Sequence, residues 1–172
     1  IIREDEEGTL ARLFTTPTPR AVILGGKFAS VFITVIVQAI VLLLISGIVF
    51  GVRWGEPLSV ALVTRGLVVV SAGFGVMLMS FVKTTHQAGS VTGGVLTLAG
   101  MAGGLFTTGM PDLPAAFDTV ALFTPHGWAL RGWKLALAGG SAGDVLVPVI
   151  VMLGMGTAFF VVGALLFRKR FS

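Results

Sequence analysis

The chain has 172 residues, 55% of them hydrophobic and only 12% charged, with a formal charge of +4 and a mean hydropathy of +0.97. About a quarter of the residues in an ordinary soluble domain are charged, so that class is excluded, and the absence of cysteine excludes disulfides and thiolate metal sites. The basic balance does not indicate nucleic acid, because the Lys and Arg residues flank apolar runs, the pattern of membrane topology.

The first residue is Ile, and residues 1–20 hold no apolar leader, so the natural start is expected to lie further upstream. Arg3-Glu4-Asp5-Glu6-Glu7 is densely charged. Leu10, Leu13 and Phe14 then recur at helical spacing, with Arg12 on another face. This predicts a short amphipathic helix over 1–16 on the membrane surface, its acids at the positive end of the helix dipole. Pro17 and Pro19 end it. Residues 1–27 form this cytoplasmic segment, and 28–172 form the transmembrane part.

Four apolar runs follow, at about 28–50, 58–82, 88–107 and 145–167, and none contains an acidic residue. Each reaches the ~20 residues that a helix needs to cross ~30 Å of hydrocarbon. The expected fold is therefore an all-α integral membrane protein. Gln38 is the one strongly polar side chain of the first span, suited to a hydrogen bond with a neighbouring helix. Arg65 lies inside the second, about two turns from its outer end, within reach of the interface by snorkelling. Gly73 and Gly75 in that span, Gly89-x-x-x-Gly93 and Gly100-x-x-x-Gly104 in the third, and Gly154, Gly156 and Gly163 in the fourth predict close helix contacts. His86, between the second and third spans, reads as a solvated loop residue.

The outer segment 108–144 is unusual. Met110-Pro111-Asp112-Leu113-Pro114 is a turn that no helix runs through, and Thr124-Pro125-His126-Gly127 breaks the chain again. Trp128 and Trp133 beside Arg131 and Lys134 favour the membrane–water boundary. Two short re-entrant or interfacial helices are expected here, with His126 at the start of the second.

With four crossings, Arg3, Arg12, Arg20, Lys27, Lys83, Arg168, Lys169 and Arg170 fall on one side, and Arg53, Arg65, Arg131 and Lys134 on the other. The richer side is cytoplasmic by the positive-inside rule, which puts both ends of this chain in the cytoplasm. No phosphate-loop motif, metal cluster or nucleophilic triad is present, and no carboxylate lies within a span. A stand-alone secondary carrier, a channel and a non-transporting scaffold remain as alternatives to a subunit of a larger machine.

The run Arg3-Glu4-Asp5-Glu6-Glu7-Gly8-Thr9-Leu10, with Leu13-Phe14, Thr16-Pro17, Arg20 and Gly26-Lys27, resembles the segment before the third membrane helix in permeases of the type 2 ATP-binding cassette exporter family. Glu6 and Glu7 compete for the family glutamate. Gly103-Gly104-Leu105-Phe106 with Met110-Pro111-x-Leu113-Pro114, and Thr124-Pro125-His126-Gly127-Trp128-Ala129-Leu130, resemble that family's outer elements in the same order. The resemblance implies the last four of six spans of a prokaryotic plasma-membrane exporter moving a drug, lipid or other amphiphile. It also implies a homodimer or pseudo-dimer of permeases docked on cytoplasmic ATPase subunits, with ATP and Mg bound by the ATPase and no cofactor or catalysis on this chain. Glu4, Glu6, Glu7, Gly8, Thr9, Leu10, Leu13 and Phe14 would form the ATPase-coupling helix. Pro111, Leu113, Pro114, Pro125 and Trp128 would form the outer gate, with Gln38 and Arg65 as substrate-path candidates.

Overall fold

A computed structural model describes residues 6–9, 12, 15, 18–110 and 115–171. The described residues form six helices and no strand: α1 (Arg20–Phe50), α2 (Pro57–Phe81), α3 (Thr85–Ala102), α4 (Ala115–Ala121), α5 (Pro125–Leu137) and α6 (Leu146–Phe171). Three are long and apolar enough to cross a membrane, over Gly25–Phe50, Pro57–Phe81 and Leu146–Phe167.

The third expected span comes out differently. Its helix starts at Thr85, where Thr84 caps the end by accepting from the Gln87 N–H at 3.2 Å. It stops at Ala102 rather than 107, because Gly104 turns left-handed at φ +82° and the Leu105 N–H bonds back to the Gly100 carbonyl at 3.0 Å. Its 18 residues extend about 27 Å, at 1.5 Å per residue. Gly104 therefore lies beyond the helix, and Gly100-x-x-x-Gly104 is not a helix face.

The centre of the molecule is the pair α2 and α6. Val63 and Val70 of α2 pack with Val149 and Met152 of α6, and Ala129 and Ala136 of α5 complete this buried cluster. Between α2 and α6 the contact is backbone on backbone. A Cβ on Gly73 would strike the Gly156 carbonyl, one on Gly156 would lie 2.7 Å from the Val70 Cα, and one on Gly163 would lie 2.8 Å from the Met77 nitrogen. Lipid tails are as apolar as Leu, so van der Waals contact at close range drives such pairing. Gly75 and Gly154, expected to pack in the same way, meet nothing within 4 Å, and neither do Gly89 and Gly93 of α3.

α1 packs chiefly along α2, and its Phe28 and Phe32 rings meet Phe160 of α6 at 5.3 and 6.0 Å between ring centres. Most of its large apolar side chains, from Ile33 through Leu42 to Phe50, are exposed. At one end of the bundle the start of α1 (Lys27, Phe28), the end of α2 (Met79), the start of α3 (Ala88) and the end of α6 (Phe167) surround a cavity of about 620 Å³. At the other end Trp54 stacks on Trp133 at 5.0 Å. There the buried Ser59 hydroxyl donates to the Glu56 carboxylate at 2.7 Å or the Gly140 carbonyl at 2.9 Å.

α5 runs antiparallel beside α2. Gly55 meets the Ala136 carbonyl, Gly132 meets Val63, and the His126 ring meets Phe74 edge-on at 6.5 Å. Phe74 is well past the middle of α2, so α5 enters the bundle to that depth and then returns.

Candidate functional site

Two regions carry the residues singled out from sequence. The first is the N-terminal segment. Backbone is helical at Glu6 and again at Thr9 and Arg12, with a turn at Glu7-Gly8 between them. Gly8 is left-handed at φ +70°, which suits glycine and breaks a helix. The single helix expected over 1–16 is therefore interrupted at Gly8. Glu7, Gly8 and Thr9 are exposed, whereas Glu4, Leu10, Leu13 and Phe14 lie outside the described residues.

Glu6 is tied to the rest of the molecule. The Thr85 N–H donates to its Oε1 at 3.0 Å, and the Thr85 hydroxyl donates to its Oε2 at 2.6 Å. The hydroxyl bond first, and the backbone bond second, hold the Glu6 carboxyl below the usual carboxylate range. Thr85 is the first residue of α3, so an ionised carboxylate sits on the positive end of that helix. Sequence reasoning missed this partner. Thr84-Thr85-His86-Gln87 carries the S/T-x-x-E/Q signature of a helix start. That signature locates the exposed N–H groups without showing which distant acid reaches them.

The second region is the α4–α5 hairpin. Thr124 locks its corner. The hydroxyl donates to the Ala121 carbonyl at 3.0 Å and accepts from the Gly127 N–H at 3.0 Å, while Pro125 takes the first helical position. The Trp128 indole donates to the Leu122 carbonyl at 2.7 Å, and the Arg131 guanidinium lies 5.7 Å from the Trp128 ring centre. Pro125 and Trp128, both expected at an outer gate, are thus brought together in one tied corner. Pro111, Leu113 and Pro114 lie outside the described residues. A polar cavity of about 600 Å³ opens beside the hairpin, lined by Thr107, Asp118, Arg131 and Lys134 among others.

The end of α3 is seated on this corner. A Cβ on Gly103 would lie 2.5 Å from the His126 Cβ, 2.8 Å from the Thr124 hydroxyl oxygen and 2.9 Å from the Gly127 nitrogen. The His126 Nδ1 and the Thr92 hydroxyl oxygen are buried without a hydrogen-bond partner. Both residues line a cavity of about 280 Å³ between α2, α3 and α5.

Gln38 and Arg65 are exposed, on α1 and α2 respectively, and neither lines the cavities described here. Gln38 finds none of the helix–helix hydrogen bonding expected of it among the described residues. His86 is exposed, as a loop histidine would be, although it falls in the first turn of α3. No group of three or more His, Asp or Glu among the described residues could hold a metal.

Residues 1–165 match the family described as "ABC-2 family transporter protein". The chain is also 26% identical, over 95% of its length, to the linearmycin resistance permease protein LnrN of Bacillus subtilis (strain 168), of which it spans 42%. No solved structure matches. The motifs before α1, the outer hairpin with its Thr-Pro start and the family match over nearly the whole chain agree, and the chain belongs to the ABC-2 family of transporter proteins.

Proposed function

We propose that this chain is the membrane part of an ATP-driven exporter, carrying an amphiphilic drug or lipid outward with energy from a cytoplasmic ATPase subunit. The observation that carries this reading is the position of the N-terminal segment. Through Glu6 and Thr85 it is held at the bundle end where α1 and α3 start and α6 finishes. A segment so placed can take a displacement from an ATPase below and pass it to the helices. The name of the Bacillus relative, a resistance permease, favours outward movement. α3 serves as the fourth crossing, completed by the turns after Ala102, and both described ends face the cytoplasm. α5 is the re-entrant element, and the hairpin is the outer gate. Two permeases pair across part of the apolar surface that this chain leaves exposed.

The test is to express the full-length permease with its ATPase subunit and isolate it in mild detergent. The two are expected to co-purify, with hydrolysis rising when both are reconstituted. Phe14→Ala, on the apolar stripe expected from sequence, should weaken docking by about 30-fold, the effect of losing ~2 kcal/mol at a buried anchor. Transport into liposomes driven by an ion gradient, with no ATPase bound, would establish a carrier instead.

A further inference from the structure

We propose that α3 is a strut that carries the displacement of the coupling segment to the outer hairpin, with Glu6 and Thr85 as its lower joint and Gly103 as its upper seat. This rests on the coupling role proposed above and goes beyond it by naming the route.

The two ends of α3 are held far better than its length. At the bottom, the Glu6 carboxylate takes both the N–H and the hydroxyl of Thr85, at 3.0 and 2.6 Å. Bonds to an ionised acceptor are the strong ones, and the helix dipole adds to them. At the top, the Gly103 backbone is pressed against Thr124, His126 and Gly127, so closely that a Cβ would lie 2.5–2.9 Å from their atoms. Those residues are the corner of the α4–α5 hairpin. Between the ends, Gly89, Gly93 and Gly94 meet nothing within 4 Å, and Gly100 is the one buried residue of the helix. A helix gripped at both ends and loosely packed along its side transmits axial motion without dragging its neighbours.

The covalent route from the coupling segment is less direct. It runs through Thr18-Pro19 into α1, whose base holds Gly25 and Gly26, both without contacts within 4 Å. Adjacent glycines soften a helix. α1 then packs chiefly along α2 and touches α6 through its Phe28 and Phe32 rings, rather than packing on the hairpin. Motion delivered through α1 would tilt the bundle, and motion delivered through α3 would move the hairpin.

The strut can be cut without unfolding it. Thr85 is the first residue of α3, and Thr84 before it is extended at φ −128°, ψ 154°. Proline is favoured at that helix position and tolerates that predecessor, and Thr124-Pro125 in this chain uses the same pairing. Thr85→Pro therefore removes both donors to Glu6 and leaves the helix start intact, while Thr85→Ser keeps both. In the full-length permease bound to its ATPase, a fluorophore on a cysteine at Phe123, which is 81% exposed, reports the hairpin. A second fluorophore on a cysteine at Thr18 reports the base of α1.

Adding ATP with orthovanadate should shift both labels in the parent protein and in Thr85→Ser. In Thr85→Pro the Thr18 shift should persist and the Phe123 shift should fall at least fivefold, with ATPase docking unchanged. An undiminished Phe123 shift in Thr85→Pro overturns the strut and leaves the exporter reading standing. Failure of the parent chain to bind any ATPase overturns both.

Discussion

At the scale of single residues, Glu6 is the clearest case of chemistry that sequence presented without its partner. The acidic cluster was legible, whereas residues 83–87 read as a turn and the helix start at Thr85 was not foreseen. Their contact joins positions 79 residues apart, a separation that no local pattern encodes. The contact carries a pH dependence whose sign follows from its cause. Thr85 lowers the Glu6 pKa from 4.5, so the charged form is favoured in the folded chain. The stabilisation is fully present above pH 4.5 and is lost as pH falls through the lowered value. Amide exchange at Thr85, corrected for intrinsic pH effects, should stay slow from neutral pH to about pH 5 and accelerate in stronger acid. Glu6→Ala should exchange fast at every pH.

At the scale of elements, the long apolar helices could be read directly, because a run without charge long enough to cross hydrocarbon has few alternatives. The first helix begins earlier than expected, at Arg20, because an apolar count cannot see helical backbone outside the hydrocarbon length. The last continues through Arg168, Lys169 and Arg170 for the same reason. Which glycines pack was not legible, since a spacing of four fits many faces of a glycine-rich helix. Only the partner's backbone selects among them, and it selects Gly73, Gly156 and Gly163 over Gly75, Gly89, Gly93 and Gly154. Gly156→Val should therefore separate α2 from α6 and lower stability by about 1–3 kcal/mol, as overpacking does. Gly75→Ala, with open space around it, should stay within about 0.5 kcal/mol of the parent. Thermal unfolding of the full-length permease in detergent distinguishes the two.

At the scale of the whole molecule, the sequence reading and the structure agree on helices without strands among the described residues. The start of α1, the α2–α3 turn and the end of α6 share one end, and the Trp54–Trp133 pair marks the other. The depth that α5 reaches beside α2 was only partly foreseen. Proline and tryptophan positions implied short outer helices, but insertion to the level of Phe74 depends on small residues: Gly127 closes against Ala121 of α4, Gly132 fits between Val63 and Pro148, and Ala129 and Ala136 join the core of α2 and α6. Single cysteines at Ser141 and Ser172 should react with membrane-impermeant reagents from opposite sides of the membrane, Ser141 from outside. Labelling of both from outside in intact cells would reverse the orientation.

The glycine seam between α2 and α6 also bears on how the sequence can drift. At Gly73, Gly156 and Gly163 every substitution adds atoms where another backbone already lies, so change there runs in one direction and meets a wall. On α1, where side chains such as Ile40, Leu42 and Ile45 are exposed, one apolar residue serves a lipid-facing surface as well as another. Relatives as distant as the 26% identical permease should therefore keep glycine along the seam while the apolar residues of α1 exchange freely, and the most hydrophobic of the described helices should be the one whose exact sequence matters least.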